Sequence, residues 1–388
     1  MTPRELLEEL LKSIERDPEL RTRLVRAVLG DRPRPEIEKV RRVLEEKALK
    51  SLSHCRGLRS SRIVDDVFRL VTVVAPRDLV VRGYTRDKPL AAFNPGCVVV
   101  GSTALLFPRM VFDYYWYVSC IGIARIDVES LVRGEVPRPL AVNIVLYPTT
   151  SYELGRGCED PRATIYGDRI LVLYTAVASK SPEHCMPTPY QGLAVLDEGM
   201  RVVEKKVLAL EVEGREVPFE GVKDSAFLEL GREATMLTRP MLSKVIGCWR
   251  CVVDLDRFVT NVNSMELVMA PEDWEYKVGW STNAVKIDSD AYLVGWYGVV
   301  LDGFRYLNGV AMVDRDGHLL AVSDYLIAPR TLPELFGDRP GVVFGCGLFR
   351  HRDLLVWVGG VSDHAIAIYV AELDRVLEVL RYVGPGRR

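Results

Sequence analysis

Four short polar motifs stand at one phase of an otherwise apolar, strand-rich chain. They are Asn94-Pro95-Gly96, Glu159-Asp160-Pro161-Arg162, Lys223-Asp224-Ser225 and Ser281-Thr282-Asn283, with Asn94, Asp160, Asp224 and Asn283 lying 66, 64 and 59 positions apart. At the same phase a fifth segment offers only Gly345-Cys346-Gly347. A second polar set closes the apolar runs that follow: Arg109, Thr175, Arg239, Tyr297 and Asp363. Polar groups on apolar strands are costly when dry. The coincidence therefore points to one shared hydrated funnel, although Asn, Asp, Pro and Gly also favour ordinary turns. The carboxylates of Asp160, Asp224 and Asp363 and the amides of Asn94 and Asn283 can grip hydroxyls, and Tyr174 and Trp296 offer flat apolar faces. Arg109, Lys223 and Arg239 suit a phosphate through charge-assisted hydrogen bonds. Together these groups fit a sugar, alone or beside a phosphate.

The elements that must hold these residues repeat with the same period. Five apolar runs end on Asp127, Asp197, Asp256, Asp314 and Asp374, which are 70, 59, 58 and 60 residues apart. A period of this length filled with short strands signals a radial or stacked array. It predicts a mainly β protein, a five-bladed β-propeller preceded by an N-terminal α-helical segment. Paired strands are expected around Gly167-Asp168, Asp288-Ser289-Asp290 and His351-Arg352-Asp353. The blades are expected at roughly 75–150, 151–215, 216–270, 271–330 and 331–373. The division is residues 1–60 helical, 61–374 propeller, and 375–388 a C-terminal helix and tail. Thr2-Pro3-Arg4-Glu5 reads as a capping box opening a first helix. A second runs from Asp17-Pro18 to Gly30, and a third over about 35–52. These helices read first as an appendage packed on the propeller and second as a surface for homo-oligomer formation.

Composition excludes several classes. The 51 basic and 53 acidic residues balance to −2, which argues against a nucleic-acid partner. No apolar run approaches a membrane span, and the acidic start Met1-Thr2-Pro3-Arg4-Glu5 lacks a signal-peptide core, so a cytoplasmic location is expected. Frequent Val, Arg and Glu fit a thermophile. Cys248 and Cys251 form one C-x-x-C without the second pair or nearby histidines of a zinc site; they read as inert packing or a local disulfide. No glycine-rich phosphate loop or His-x-x-x-His helix is present. The sequence thus calls for no metal and no cofactor, with inorganic phosphate only as a co-substrate.

The motifs resemble glycoside hydrolase family 130, the mannoside phosphorylases and β-mannosidases, over roughly residues 90–373. Gly157-Cys-Glu-Asp-Pro-Arg162 with Ile170-Leu-Val-Leu-Tyr-Thr-Ala176 is the most specific element. Phe93-Asn-Pro-Gly96, Lys223-Asp-Ser-Ala-Phe227, Arg239-Pro240, Trp274-Glu275, Val343-Phe344-Gly-Cys-Gly347 and Gly360-Val-Ser-Asp363 are similar to further family segments in the family's order. The resemblance implies an inverting, carbohydrate-active enzyme cleaving β-mannosides or related glycosides by phosphorolysis or hydrolysis. It makes Asp160 the general acid, acting through a sugar hydroxyl. It makes Asn94, Arg109 and Asp363 the residues that hold the sugar and Lys223 and Arg239 the phosphate ligands; the polar motifs and rings add Glu159, Arg162, Asp224, Asn283 and Tyr297 to the expected substrate-binding set. For hydrolysis, Glu229 and Glu275 are the nearest candidate bases. The alternative is a non-catalytic propeller binding a glycan or a protein, in which an ion pair with Arg162 masks Asp160. Two departures leave the nucleophile open: Thr238 stands where the family has His, and Trp296-Tyr297-Gly298 where it often has Tyr-His-Gly.

Overall fold

The computed structural model describes residues 35–179 and 187–383. The two helices expected within residues 1–34 and the tail from residue 384 lie outside the described residues. What is described is dominated by strands in sheets of four, nine, seven and five strands, paired mainly antiparallel, along which five successive runs, units one to five, can be followed.

The first strands are Ala91–Val100, Gly157–Tyr166, Val222–Phe227, Glu275–Lys286 and Val343–His351. Each pairs with the next strand through a tight turn, and the expected turns at 167–168, 287–290 and 352–353 are all present. The apolar runs closing on Asp form the third strands, such as Ser119–Asp127 and Tyr306–Asp314. Alternation of side chains lets each strand bury both faces. Accordingly, buried apolar clusters fill the spaces between units one and two, two and three, three and four, four and five, and five and one. Apolar cores between consecutive units, and between the last and the first, are consistent with the expected five-bladed propeller.

The closure uses a strand that the repeat did not reveal. Arg69–Val74 pairs with Ala365–Glu372 and supplies the fourth strand of the last unit. The beginning and end of the ring are therefore tied by main-chain hydrogen bonds. The C-terminal helix is shorter than expected, Leu373–Glu378, because Arg381–Tyr382 adds instead to strand Leu319–Val322 of the fourth unit.

The helix Pro35–Cys55 lays Ile37, Val40, Leu44 and Ala48 into the core shared by units two and three. Lys47 Nζ donates to the carbonyls of Val262, Asn263 and Met265. No helix among the described residues is long and apolar enough to cross a membrane. Cys248 and Cys251 are buried free thiols; burial pushes both up, Cys251 to about 12, so they are packing groups and not nucleophiles.

Candidate active site

Every one of the five first strands breaks register at the same point. The irregularities fall between Phe93 and Gly96, Glu159 and Arg162, Lys223 and Ala226, Trp280 and Ala284, and Gly345 and Gly347. A bulge bends its strand and re-aims a side chain. In three units the bulged residue is itself left-handed, with φ of 47° at Asn94, 47° at Asp160 and 57° at Asp224. Short polar side chains tolerate this region best. The polar motifs of the sequence are thus the bulge residues of a common inner ring.

Nine of the expected site residues line one cavity of about 520 Å³: Asn94, Arg109, Glu159, Asp160, Lys223, Asp224, Arg239, Tyr297 and Asp363. The volume is in the range of small-molecule sites. Asp160 Oδ1 accepts from Asn94 Nδ2 at 2.9 Å and from Arg109 Nη1 at 3.1 Å. Arg109 also donates to Glu159 at 2.7 Å and to Ser119 Oγ at 2.9 Å, with its guanidinium over Phe93. Arg109 therefore acts as a clamp on two acids. Gly360 makes room for this arrangement: a Cβ there would lie 2.2 Å from Asn94 Oδ1.

Three acids around Arg109 differ in proton affinity. Burial pushes Asp160 up, but Arg109, Lys223, Arg162 and the Asn94 hydrogen bond together hold it below the usual carboxylate range. Burial, with the Asp160 charge, raises Glu159 against the pull of Arg109. Asp363 makes no hydrogen bond or ion pair among the described residues. Burial raises it to about 6, with Asp160 and Glu159 adding to the effect and Arg109 and Arg339 opposing it. On the other side Asp224 is a fully ionised anchor, pushed up by burial but held far down by Arg239, Lys223 and Arg162. It accepts from Arg239 Nε at 2.7 Å and Tyr297 Oη at 2.8 Å.

Several expected residues lie elsewhere. Arg162 is buried behind the ring, where its guanidinium donates to the carbonyls of Ser281 and Asp160 and lies 3.5 Å from Asp224. Asn283 does not reach the cavity. Its amide grips the next unit, donating to Leu348 O at 2.9 Å and accepting from Leu348 N at 2.8 Å. The bulge at Trp280–Ala284 turns it sideways rather than inward. Replacing it tests this structural role: Asn283→Ala leaves two buried backbone groups unpaired and lowers unfolding free energy by about 1–3 kcal/mol, read by denaturant melts, with little change in KM. A large KM change with unaltered stability would return Asn283 to the substrate site.

Thr175 lines a neighbouring cavity with Arg156, Lys223 and Lys277. Tyr174 is buried with its hydroxyl on Glu153, and Trp296 is buried beneath Arg59. Neither candidate base lies in the cavity. Glu275 is buried against Arg59 Nη2 at 2.6 Å and accepts from Tyr325, and Glu229 pairs with Lys286 and Tyr292.

The cavity also holds groups the sequence reading missed. Lys277 and Arg339 flank the Tyr306 ring, 5.4 and 5.1 Å from its centroid, and Tyr306 stacks on Tyr297. Lys277 has no carboxylate partner among the described residues; burial and the charges of Arg239 and Lys223 push it down to about 7. Lys223 Nζ is 3.9 Å from Asp160 Oδ2. At the mouth stand Tyr114, Tyr115, Trp116 and Tyr117. Four aromatics in succession were a legible signal, but outside the repeated phase.

A family model described as beta-1,4-mannooligosaccharide phosphorylase, glycoside hydrolase family 130, matches residues 59–382. Among solved structures, a beta-1,2-mannobiose phosphorylase from Listeria innocua superposes with a TM-score of 0.59 at 18% identity, over 79% of this chain and 96% of that one. A structure described under glycoside hydrolases that target beta-1,2 mannosidic linkages in Candida mannan gives 0.59 at 14%, over 85% and 100%. MPT-4, a mannose phosphorylase from Leishmania mexicana in complex with phosphate ion, gives 0.51 at 11%, over 89% and 98%. At these identities the structural likeness concerns the fold. No curated protein sequence matches.

Proposed function

The chain belongs to glycoside hydrolase family 130, and from that premise we propose that it cleaves terminal β-mannosidic bonds by phosphorolysis, with inversion at the anomeric carbon. The observation that carries the choice of nucleophile is the cationic side of the cavity. Lys277 and Arg339 lie over Tyr306 without a carboxylate partner among the described residues, and Lys223, which lines the same cavity, has only the distant Asp160 carboxylate at 3.9 Å. Like charges gathered on one side of a cavity favour an anion between them. Phosphate is the anion that family membership makes relevant.

The sugar at the cleavage position is held by Asn94 and Asp363 beside the Arg109-clamped acids. A phosphate oxygen attacks the anomeric carbon as the bond to the leaving oxygen breaks. The leaving oxygen takes a proton from Asp160 through a sugar hydroxyl. The products are an α-sugar 1-phosphate and the shortened saccharide. Asp160 is depressed in the empty site partly by Lys223. Phosphate on Lys223 offsets that cation and so raises the proton affinity of the acid as the co-substrate binds.

Hydrolysis has weaker support, because Glu229 and Glu275 are both committed elsewhere. The non-catalytic reading allowed an ion pair with Arg162 to mask Asp160. Instead Arg162 takes only the Asp160 backbone carbonyl, and the carboxylate remains at the cavity wall. The test is to incubate the protein with a panel of β-mannosides with and without inorganic phosphate. Sugar 1-phosphate formed only with phosphate is expected. Free mannose released equally without phosphate would overturn phosphorolysis.

A further inference from the structure

The mouth of the cavity is built unlike its floor. The floor is polar and buried; the mouth carries Asp113-Tyr-Tyr-Trp-Tyr117, with Tyr115 84% and Trp116 64% exposed. Large exposed aromatics grouped at the rim of a pocket mark a binding surface more often than an accident of packing. This loop is also fixed in place. The Asp113 carboxylate accepts from the backbone N–H groups of Tyr115 at 3.2 Å and Trp116 at 2.9 Å. Tyr114 Oη reaches Asp338 Oδ1, across to the segment that precedes the fifth unit, at 3.3 Å. Tyr117 turns inward at φ 55°, with its ring 5.7 Å from the Arg109 guanidinium. The outer rings of Tyr115 and Trp116 meet edge to face, centroids 5.0 Å apart at 88°, so they brace each other as an exposed aromatic corner at the rim.

We propose that Tyr115 and Trp116 form an outer subsite on which a sugar of the leaving saccharide stacks, so that the enzyme prefers β-linked oligosaccharides to disaccharides. The inference rests on the reading of the cavity as a β-mannoside site. If the sugar being removed sits on the buried acids, the rest of the saccharide runs outward to this rim. A pyranose has an apolar C–H face and a polar edge. The first suits an aromatic ring, as in other amphipathic contacts to aromatic side chains; the second stays in water. A rigid platform loses little conformational freedom on binding, which favours affinity.

The test uses the Asp160→Asn protein, so that ligands are not consumed, and calorimetric titration with β-1,4- and β-1,2-linked mannooligosaccharides of two to five units. Affinity is expected to rise about tenfold between the disaccharide and the tetrasaccharide of the preferred linkage, roughly the scale of one good aromatic contact. Adding Tyr115→Ala and Trp116→Ala should erase that gain, and Trp116→Phe should restore part of it. Both side chains are exposed, so folding is not at stake. Disaccharide binding without a gain from added sugars, or a gain that survives both alanines, overturns the platform while leaving the mannoside reading intact. Failure of every saccharide to bind overturns both.

Discussion

Asp160→Asn lowers turnover of a β-mannoside by roughly 10²–10⁴-fold, the usual cost of losing a general acid, while sugar binding is largely retained. The amide keeps the shape of the carboxylate and one acceptor oxygen for Asn94 Nδ2, which now donates to Asp160 Oδ1. It cannot carry a proton. It also removes the negative charge nearest Lys223, at 3.9 Å, so phosphate affinity should hold or improve. That opposition, with kcat falling and phosphate KM not rising, separates an acid from a general weakening of the site. A second reading follows from the depressed state of Asp160 in the empty cavity. Calorimetry of phosphate binding in buffers of different ionisation heat should report proton uptake by the wild type and less by Asp160→Asn. Undiminished turnover in the variant would remove Asp160 from the acid role. Equal proton uptake in both proteins would assign the acquired proton to Lys277, which phosphate recharges, or to Glu159 or Asp363, which burial raises.

What was legible in the sequence was whatever the repeat wrote more than once. The closing aspartates mark third strands because each apolar run must bury both faces between two neighbours. The polar motifs mark bulges because a short polar residue is the cheapest occupant of a left-handed position within a strand. Phase alone did not say which way a bulge points. Asn94, Asp160 and Asp224 have positive φ and face the cavity; Asn283, at the same phase, is pinned to Leu348. The pairing of Arg69–Val74 with the last unit joins positions nearly 300 residues apart, where no local pattern gives the register. Glu229 and Glu275 were near the ring in sequence only. Lys277 was missed because it stands before the repeated phase of its strand, Arg339 because it lies between units, and Tyr114–Tyr117 because it lies in a loop.

Lys277→Met raises KM for phosphate about ten- to a hundredfold, and the increase is larger at pH 6 than at pH 8.5. The size follows from one hydrogen bond to a charged group, worth about 1.5–3 kcal/mol. The pH dependence follows from the state of the lysine. Burial and the charges of Arg239 and Lys223 depress it to about 7, so it is cationic below that value and loses its charge as pH rises through it. In the wild type the lysine's help to phosphate therefore fades above neutrality; in the variant there is no such help to lose. Phosphate's own titration is the same in both proteins and cancels in the ratio of their KM values. The other charges facing Lys277 set the expected shape: Lys223, Arg239 and Arg339 favour the neutral lysine, and the Asp224 carboxylate favours the cation. A bound dianion adds to the Asp224 effect, so saturating phosphate should carry the cationic form to higher pH and make kcat less pH-sensitive than kcat/KM for phosphate. The position over Tyr306 keeps the ammonium from wandering to solvent, which is why a methionine of similar length is the control for packing. A ratio near one at both pH values would take Lys277 out of the anion seat and leave Lys223 and Arg339 as its cations. A ratio that is large but flat with pH would keep Lys277 in the seat and require that it stay charged throughout.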